Sequence, residues 1–356
     1  MKNKVIIDNK IISDSTEPYI IAEVSANHNG SLQTALDTLL AAKQAGASAV
    51  KIQSYTPDTM TIDCDKKDFM IEGGLWDGEN LYSLYEKAHT PFAWHQTLFN
   101  YAKEIDITLF STPFDNTAVD LLESLGCPAY KIASFEITDI PLIKRIAQTG
   151  KPIIISTGLA NLDEVEEAVE AIKEQNNHQI IILHCISAYP TPVEKMNLKS
   201  IITLQNHFNL LTGLSDHSIG SAAANTAVAL GARVIEKHFI LDRNQGGPDS
   251  TFSIEPSELT ELINTCNQTW LSLGSGNITT SNEESPNKKF RRSIYAINNI
   301  PKGHIISEED VRVIRPGFGL APKYIDKIIG SKATIAIEKG TPISLNFLNN
   351  SALKDN

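Results

Sequence analysis

Ionisable residues interrupt an apolar run about two thirds of the way along this sequence. In the run RVIEKHFIL, which otherwise reads as a buried strand, Glu236, Lys237 and His238 stand together, and a second histidine, His217, ends the run LLTGLSDH. Two neutral imidazoles side by side can bind a divalent cation and leave most of its coordination sphere to water or substrate. The alternative is a pair of histidines ordered by hydrogen bonds to Asp216 or Glu236.

Other polar residues fall near the ends of further apolar runs: Glu23, Ser25, Lys51, Gln53, Lys131, Ser156 and Ser215. Ammonium groups and hydroxyls bind phosphate and carboxylate oxygens, so Lys51 and Lys131 predict a site for an anionic ligand. Glu23 could act as a general base or hold a water molecule, and an ion pair with Lys51 is the alternative. A Schiff-base role for Lys131 also stays open.

Eight short apolar runs would have to position these side chains. Between residues 19 and 271 they alternate with segments of helical periodicity, which predicts an α/β protein of repeated βα units on a parallel sheet. The runs are 19–25, 49–54, 108–113, 129–134, 152–157, 180–185, 210–217 and 233–241. Eight units in about 250 residues indicate a closed (β/α)₈ TIM barrel, whose active site lies at the carboxyl ends of the strands.

The rest of the chain divides by composition. Residues 272–289 are rich in Gly, Ser, Asn and Thr, as in a linker, and two stretches beyond it, IPKGHIIS and IEKGTPIS, predict a small second domain of two related halves. The predicted bounds are 1–271 for the barrel, 272–289 for the linker and 290–356 for the second domain. The long segment 55–91, which follows the second strand, is an insertion of the kind that is usually functional or mobile.

Composition excludes several classes of partner. The net charge of -11 over 356 residues argues against a nucleic-acid or anionic-membrane surface. Four widely spaced cysteines without a CxxC pair favour free thiols in a reducing compartment. Neither a signal peptide nor a membrane span is predicted, so we expect a cytoplasmic protein.

An ordered set of motifs resembles the sialic acid synthase family over nearly the whole chain. The motifs include IAEVSANHNGS, VKIQ, STPF, YKIAS, STG, GLSDHS, ALGARVIEKHF and IRPGFG. The resemblance implies a (β/α)₈ barrel followed by a C-terminal antifreeze-like (SAF) domain in a domain-swapped homodimer. It also implies condensation of phosphoenolpyruvate with an N-acetylated amino sugar, with a divalent metal, Mn²⁺ first and Mg²⁺ or Co²⁺ as alternatives.

The resemblance also implies roles for individual residues. Glu23, Lys51, Lys131 and Glu236 match catalytic positions, and His217 and His238 match the metal ligands. Among the positions that match substrate-binding residues, Ser156, Ser187 and Ser215 match positions around phosphoenolpyruvate. Gln53, Glu136, Tyr189 and Asp249 match the sugar side, and Ser134 and Arg315 also match substrate-binding positions. Ser187 stands where the N-acetylneuraminate branch has Asn, and Arg315 matches an arginine that reaches the partner subunit's site.

The stretch GGLWDGENLYSLYEKAHTPFAWH, residues 73–95, resembles the branch of the family that makes pseudaminic acid. The sugar implied is 2,4-diacetamido-2,4,6-trideoxy-β-L-altropyranose. The same chemistry on N-acetylmannosamine or on the legionaminic acid precursor is the nearest alternative. A Schiff-base lyase and a non-catalytic sugar-binding barrel are the alternatives from other classes.

Overall fold

A computed structural model describes residues 4–349 of the chain. The chain divides between Gly274 and Ser275 into two compact units, each with its own apolar core. The predicted bounds at residues 1 and 356 lie outside the described residues. The first unit contains strands β1 (Lys4–Ile7), β2 (Lys10–Ser13), β3 (Tyr19–Glu23), β4 (Ala49–Ser54), β5 (Thr108–Pro113), β6 (Tyr130–Ile132), β7 (Ile153–Ser156), β8 (Ile180–Cys185), β9 (Leu211–Asp216) and β10 (Val234–His238).

Its helices are α1 (Leu32–Ala45), α2 (Pro57–Met60), α3 (Leu81–Ala88), α4 (Phe92–Glu104), α5 (Asn116–Ser124), α6 (Ile140–Ala147), α7 (Leu162–Lys173), α8 (Ser200–Phe208), α9 (Ala222–Ala229) and α10 (Pro256–Leu273). Strands β3 to β10 are parallel and close into a barrel in which β10 pairs with β3. The predicted (β/α)₈ barrel is confirmed. Each strand coincides with one of the eight apolar runs, because strands buried on both faces read as continuous aliphatic sequence.

Local sequence signals fix the helices around the barrel. Asn161 and Glu164 form a capping box at the start of α7, with each side chain bonded to the other residue's backbone N–H. Asp139 caps α6 by accepting a hydrogen bond from the N–H of Leu142. These caps satisfy backbone donors that have no partner within the helix.

The antiparallel hairpin of β1 and β2 packs against the amino ends of barrel strands. Val5, Ile7 and Ile12 are buried in the barrel core. Asp8 accepts a hydrogen bond of 3.0 Å from Thr108 at the start of β5, and Lys10 donates one of 2.7 Å to the carbonyl of Ser48, just before β4. The hairpin therefore covers the end of the barrel opposite the predicted active site.

The second unit contains strands β11 (Ser293–Ala296), β12 (Val311–Ile314), β13 (Lys332–Ala333) and β14 (Leu348–Asn349) and the short helix α11 (Ile325–Ile328). β11 pairs with β12 and β13 with β14, both antiparallel. The two related stretches found in the sequence meet here, because Ile300 and Ile337, the first residue of each, exchange two backbone hydrogen bonds of 2.8 Å.

Two details differ from the sequence-based expectations. The first strand ends at Glu23, and Ser25 lies beyond it with a φ of 45°, so Ser25 is not a strand residue on the face of Glu23. The insertion, whose sequence shows no clear periodicity, contains α2 and α3. Among residues 4–349, no helix has both the length and the apolar character needed to cross a membrane.

Candidate active site

Four charged side chains meet inside the barrel near the carboxyl ends of the strands. Lys51 Nζ lies 2.8 Å from Glu23 Oε2 and 3.6 Å from Glu236 Oε1. Lys131 Nζ lies 3.8 Å from the same oxygen of Glu236. All four are buried, and they come from β3, β4, β6 and β10. We call this group the charged cage.

Burial and pairing set the charges of the cage. Burial raises the pKa of Glu23 above its usual range. Burial also opposes the charged form of Lys51, but Glu23 and Glu236 outweigh it and raise the pKa of this lysine. For Glu236 the penalty of burial is outweighed by Lys131 and Lys51, which hold the pKa of its carboxyl below the usual range. In the cage the ammonium group of Lys51 therefore faces the carboxylate of Glu236, while burial disfavours the ionised form of Glu23.

Hydroxyl groups and one glycine border Lys131. Its ammonium donates a hydrogen bond of 2.6 Å to Ser156 Oγ, and burial lowers its pKa. The backbone N–H of Gly158 donates to Ser134 Oγ at 3.1 Å. A Cβ atom at residue 158 would lie 2.2 Å from Ser187 Oγ and 2.6 Å from Ser134 Oγ, so this close approach requires glycine. The buried Ser187 Oγ has no hydrogen-bond partner, which leaves it available to a ligand.

The two histidines lie close together at the ends of β9 and β10, with ring centroids 5.3 Å apart. His217 Nδ1 lies 3.1 Å from the carbonyl of Ile186, and a hydrogen bond there leaves Nε2 free to bind a metal. Burial and the positive charges nearby lower the pKa of His238, which favours the neutral form that binds metals. The hydrogen-bond alternative with Asp216 or Glu236 is absent among the contacts of the two rings within residues 4–349.

Buried atoms that lack hydrogen-bond partners lie at these rings, and the nearest carboxylate oxygen to His238 Nδ1 is Asp249 Oδ2 at 3.7 Å. His238 Nδ1 is buried without a hydrogen-bond partner, and Glu236 Oε2 also lacks one. Within the described part of the chain, no group of three or more His, Cys, Asp and Glu side chains is arranged to hold a metal. The residues fit a cation that takes two protein nitrogens and fills its other positions with water or substrate oxygens.

A cavity of about 370 Å³ opens beside His238. Gln53, Glu136, Tyr189 and Asp249, all predicted on the sugar side, line it together with His238. Gln53 donates hydrogen bonds of 3.0 Å to Glu23 and to Ser25, which links this cavity to the charged cage. Burial raises the pKa of Glu136 to about 7, and its Oε2 is buried without a partner.

The remaining predicted residues fall in two places. Ser215, on β9, donates a hydrogen bond of 3.3 Å to Glu236 and so belongs to the cage. Arg315 lies in the second unit, where its side chain is exposed. Lys237 points away from the cage and forms a fully buried ion pair of 2.8 Å with Asp216.

Sequence reasoning missed three contributors to the site. Thr112 accepts a hydrogen bond of 3.2 Å from Lys51, and its place in the STPF motif could have revealed it. Phe252 packs edge-on against His238 at 4.9 Å between ring centroids, but it stands in an irregular segment with no signal. Trp76 reaches from the insertion to the carbonyl of Pro248 at 3.2 Å, a contact that only the folded chain reveals.

Two protein-family models match this chain. The NeuB family model matches residues 38–278, about two thirds of the chain, and the SAF domain model matches residues 291–349. The chain belongs to the NeuB family. The resemblance to sialic acid synthases, and the expected SAF domain after the barrel, are confirmed.

Individual relatives agree with this assignment. The chain is 48% identical to the pseudaminic acid synthase of Campylobacter jejuni over 322 residues, covering 90% of this chain and 94% of that protein. It is 37% identical to the N,N'-diacetyllegionaminic acid synthase of Legionella pneumophila, covering 91% and 93%. The crystal structure of the N-acetylneuraminic acid (sialic acid) synthetase of Leptospira borgpetersenii superimposes with a TM-score of 0.73 at 32% identity, covering 81% and 95%.

Proposed function

We propose that this protein is a pseudaminic acid synthase, which condenses phosphoenolpyruvate with 2,4-diacetamido-2,4,6-trideoxy-β-L-altropyranose and water to give pseudaminic acid and phosphate. The observation that carries this proposal is the charged cage beside a cavity lined by sugar-side residues, in a NeuB-family barrel. The higher identity to the Campylobacter synthase than to the Legionella enzyme favours this sugar over the legionaminic acid precursor. We also propose a cytoplasmic, domain-swapped homodimer.

The phosphoenolpyruvate end of the site would be held by charge and hydroxyls. The ammonium groups of Lys131 and Lys51 would offset the negative charge of the phosphate and carboxylate groups, and Ser134, Ser156 and Ser187 would bind their oxygens. Lys131 lies close enough to Ser156 for both to contact one phosphate oxygen. These groups act most strongly on the phosphate as it leaves.

A divalent cation, Mn²⁺ in the first instance, would be held by His217 and His238 and would polarise the aldehyde of the open-chain sugar. C3 of phosphoenolpyruvate would use the electron pair of its C2–C3 double bond to form the new carbon–carbon bond to the aldehyde carbon. The electron pair of the carbonyl double bond moves to the aldehyde oxygen, which takes a proton from water, and positive charge develops at C2. Glu23, which lies beside Lys51 in the cage, would orient the water that adds to C2 and accept its proton. The bond between C2 and the phosphate oxygen breaks last.

Phosphate release tests the reaction and its sugar together. The protein, stripped with a chelator and refilled with Mn²⁺, is assayed with phosphoenolpyruvate and either the diacetamido altropyranose or N-acetylmannosamine. We expect release with the altropyranose, loss with chelator and recovery with Mn²⁺. Release with N-acetylmannosamine alone would place the chain in the N-acetylneuraminate branch, and trapping of Lys131 by borohydride would show Schiff-base chemistry instead.

A further inference from the structure

Each of the two histidines stands next to a member of a buried ion pair. His217 lies between Asp216 and Ser218, and His238 directly follows Lys237. Asp216 and Lys237 are register partners on β9 and β10, and their side chains meet at 2.8 Å on the face of the sheet that points away from the charged cage. The pair therefore joins the two strands at the residue that precedes each histidine.

The ion pair and Ser218 together hold the backbone on both sides of His217. One oxygen of Asp216 accepts hydrogen bonds from the N–H and the hydroxyl of Ser218, at 2.8 Å and 2.6 Å, so this carboxylate bridges the residue between them. The other oxygen accepts a hydrogen bond of 2.8 Å from Lys237, which also donates to the carbonyl of Ser218. All three residues are buried. We call Asp216, Ser218 and Lys237 the histidine clamp.

Backbone hydrogen bonds complete the attachment of each histidine. The carbonyl of His217 accepts from the N–H of Thr191 at 3.0 Å, and that of His238 accepts from the N–H of Ile254 at 2.9 Å. Residues 4–349 contain no cluster of three or more His, Cys, Asp and Glu side chains that could hold a metal. A cation bound here therefore depends on how firmly the spacing of two imidazoles, 5.3 Å between centroids, is fixed.

We infer that the histidine clamp sets the spacing of the two imidazoles and thereby the affinity of the site for a divalent cation. The inference rests on the proposed cation at His217 and His238 and adds three positioning residues that act through these rings. Partners that orient metal ligands typically change the affinity for the metal about 10-fold to 100-fold, so we expect a loss of that size when Lys237 is removed.

Titration calorimetry of the metal-free, full-length protein with Mn²⁺, without substrates, tests this inference. Ser218→Ala removes one hydroxyl of the clamp and keeps the ion pair, and it should weaken Mn²⁺ binding about fivefold or more. Ser111→Ala is the matched control. Ser111 is also buried, its Oγ lies 2.7 Å from Ser54 Oγ and donates to the carbonyl of Ile52 at 3.0 Å, and it stands on β5, which β3 and β4 separate from β10. The control should keep the affinity of the wild type.

A second set of variants separates positioning from stability. Lys237→Met breaks the clamp at its centre and should weaken Mn²⁺ binding about 10-fold to 100-fold. Adding Asp216→Asn removes the uncompensated charge and restores part of the stability, but it does not restore the bond to the carbonyl of Ser218. The affinity of the double variant should therefore stay low, whereas a purely structural role would restore affinity together with stability.

The outcomes separate the inference from the proposals on which it rests. Wild-type affinity in either Ser218→Ala or the double variant would overturn the inference and keep the proposed cation site. An equal loss in Ser111→Ala would also overturn it, because destabilisation alone would then explain the effect. Failure of the wild type to bind Mn²⁺ would overturn the cation site and the inference with it. Since no sugar is present, the choice of sugar does not affect the result.

Discussion

Lys237→Met should destabilise the barrel by roughly 3–5 kcal/mol, because it leaves the buried carboxylate of Asp216 without its counter-charge. Neither side chain of this pair is exposed to solvent, and the two charged atoms lie 2.8 Å apart. The other oxygen of Asp216 accepts hydrogen bonds from the N–H and the hydroxyl of Ser218, at 2.8 Å and 2.6 Å, and these remain in the variant. The cost therefore comes from the Asp216 oxygen that loses its counter-charge, and from the carbonyl of Ser218, which also accepts a hydrogen bond from Lys237.

Adding Asp216→Asn to this variant should recover part of the loss, since a neutral amide replaces the uncompensated charge. We expect the double variant to be more stable than the sum of the single changes predicts by roughly 2 kcal/mol. Lys144→Met is the matched control: its pair with Glu174 has the same 2.8 Å separation but is 40% and 60% exposed, so its loss should stay below about 1 kcal/mol.

Urea unfolding followed by tryptophan fluorescence measures these differences. The three tryptophans, Trp76, Trp94 and Trp270, all belong to the first unit, so the signal reports the barrel. A Lys237→Met loss no larger than that of the exposed control would refute the reasoning about burial. Strict additivity in the double variant would refute the pairing itself.

Four further changes test the site. His217→Ala should abolish Mn²⁺ binding in calorimetry and Mn²⁺-dependent phosphate release while the circular dichroism spectrum stays unchanged; bound metal with full activity would contradict the ligand assignment. Gly158→Ala should raise the KM for phosphoenolpyruvate about tenfold or more, because its Cβ would collide with Ser187 Oγ at 2.2 Å, and an unchanged KM would place that ligand elsewhere. Arg315→Ala should raise the KM for the sugar and leave the urea unfolding of the barrel unchanged; unaltered sugar kinetics would remove Arg315 from the site. Glu136→Gln should stabilise the protein without ligands, because burial raises the pKa of the Glu136 carboxyl from 4.5 to about 7, so that the folded wild type keeps a proton that the unfolded chain releases. The gain in stability should grow as the pH rises from about 4.5 to 7 and should reach at most roughly 3 kcal/mol above pH 7. A difference in urea titrations that does not change with pH would argue against this reasoning.

The barrel and the charged cage could be predicted from sequence because both follow from local pattern. Each strand is a short aliphatic run, and Glu236 and His238 share parity along β10, so their convergence at one end of the barrel follows from the fold. The contribution of the insertion to the cavity could not be predicted in this way. Its lining residues stand on the short helices α2 and α3 and on the chain between them, and the contact that orients Trp76 spans 172 residues of sequence. Ser25 was misplaced because a left-handed turn interrupts a run that otherwise continues the strand pattern.

The apolar residues that the insertion contributes to the cavity all lie on one uninterrupted piece of chain, from α2 to α3, while the charged cage is assembled from four separate strands. The cavity lining and the cage are therefore encoded separately along the sequence. A change of length or composition within this one segment can reshape the cavity while the strands that carry the cage keep their sequence.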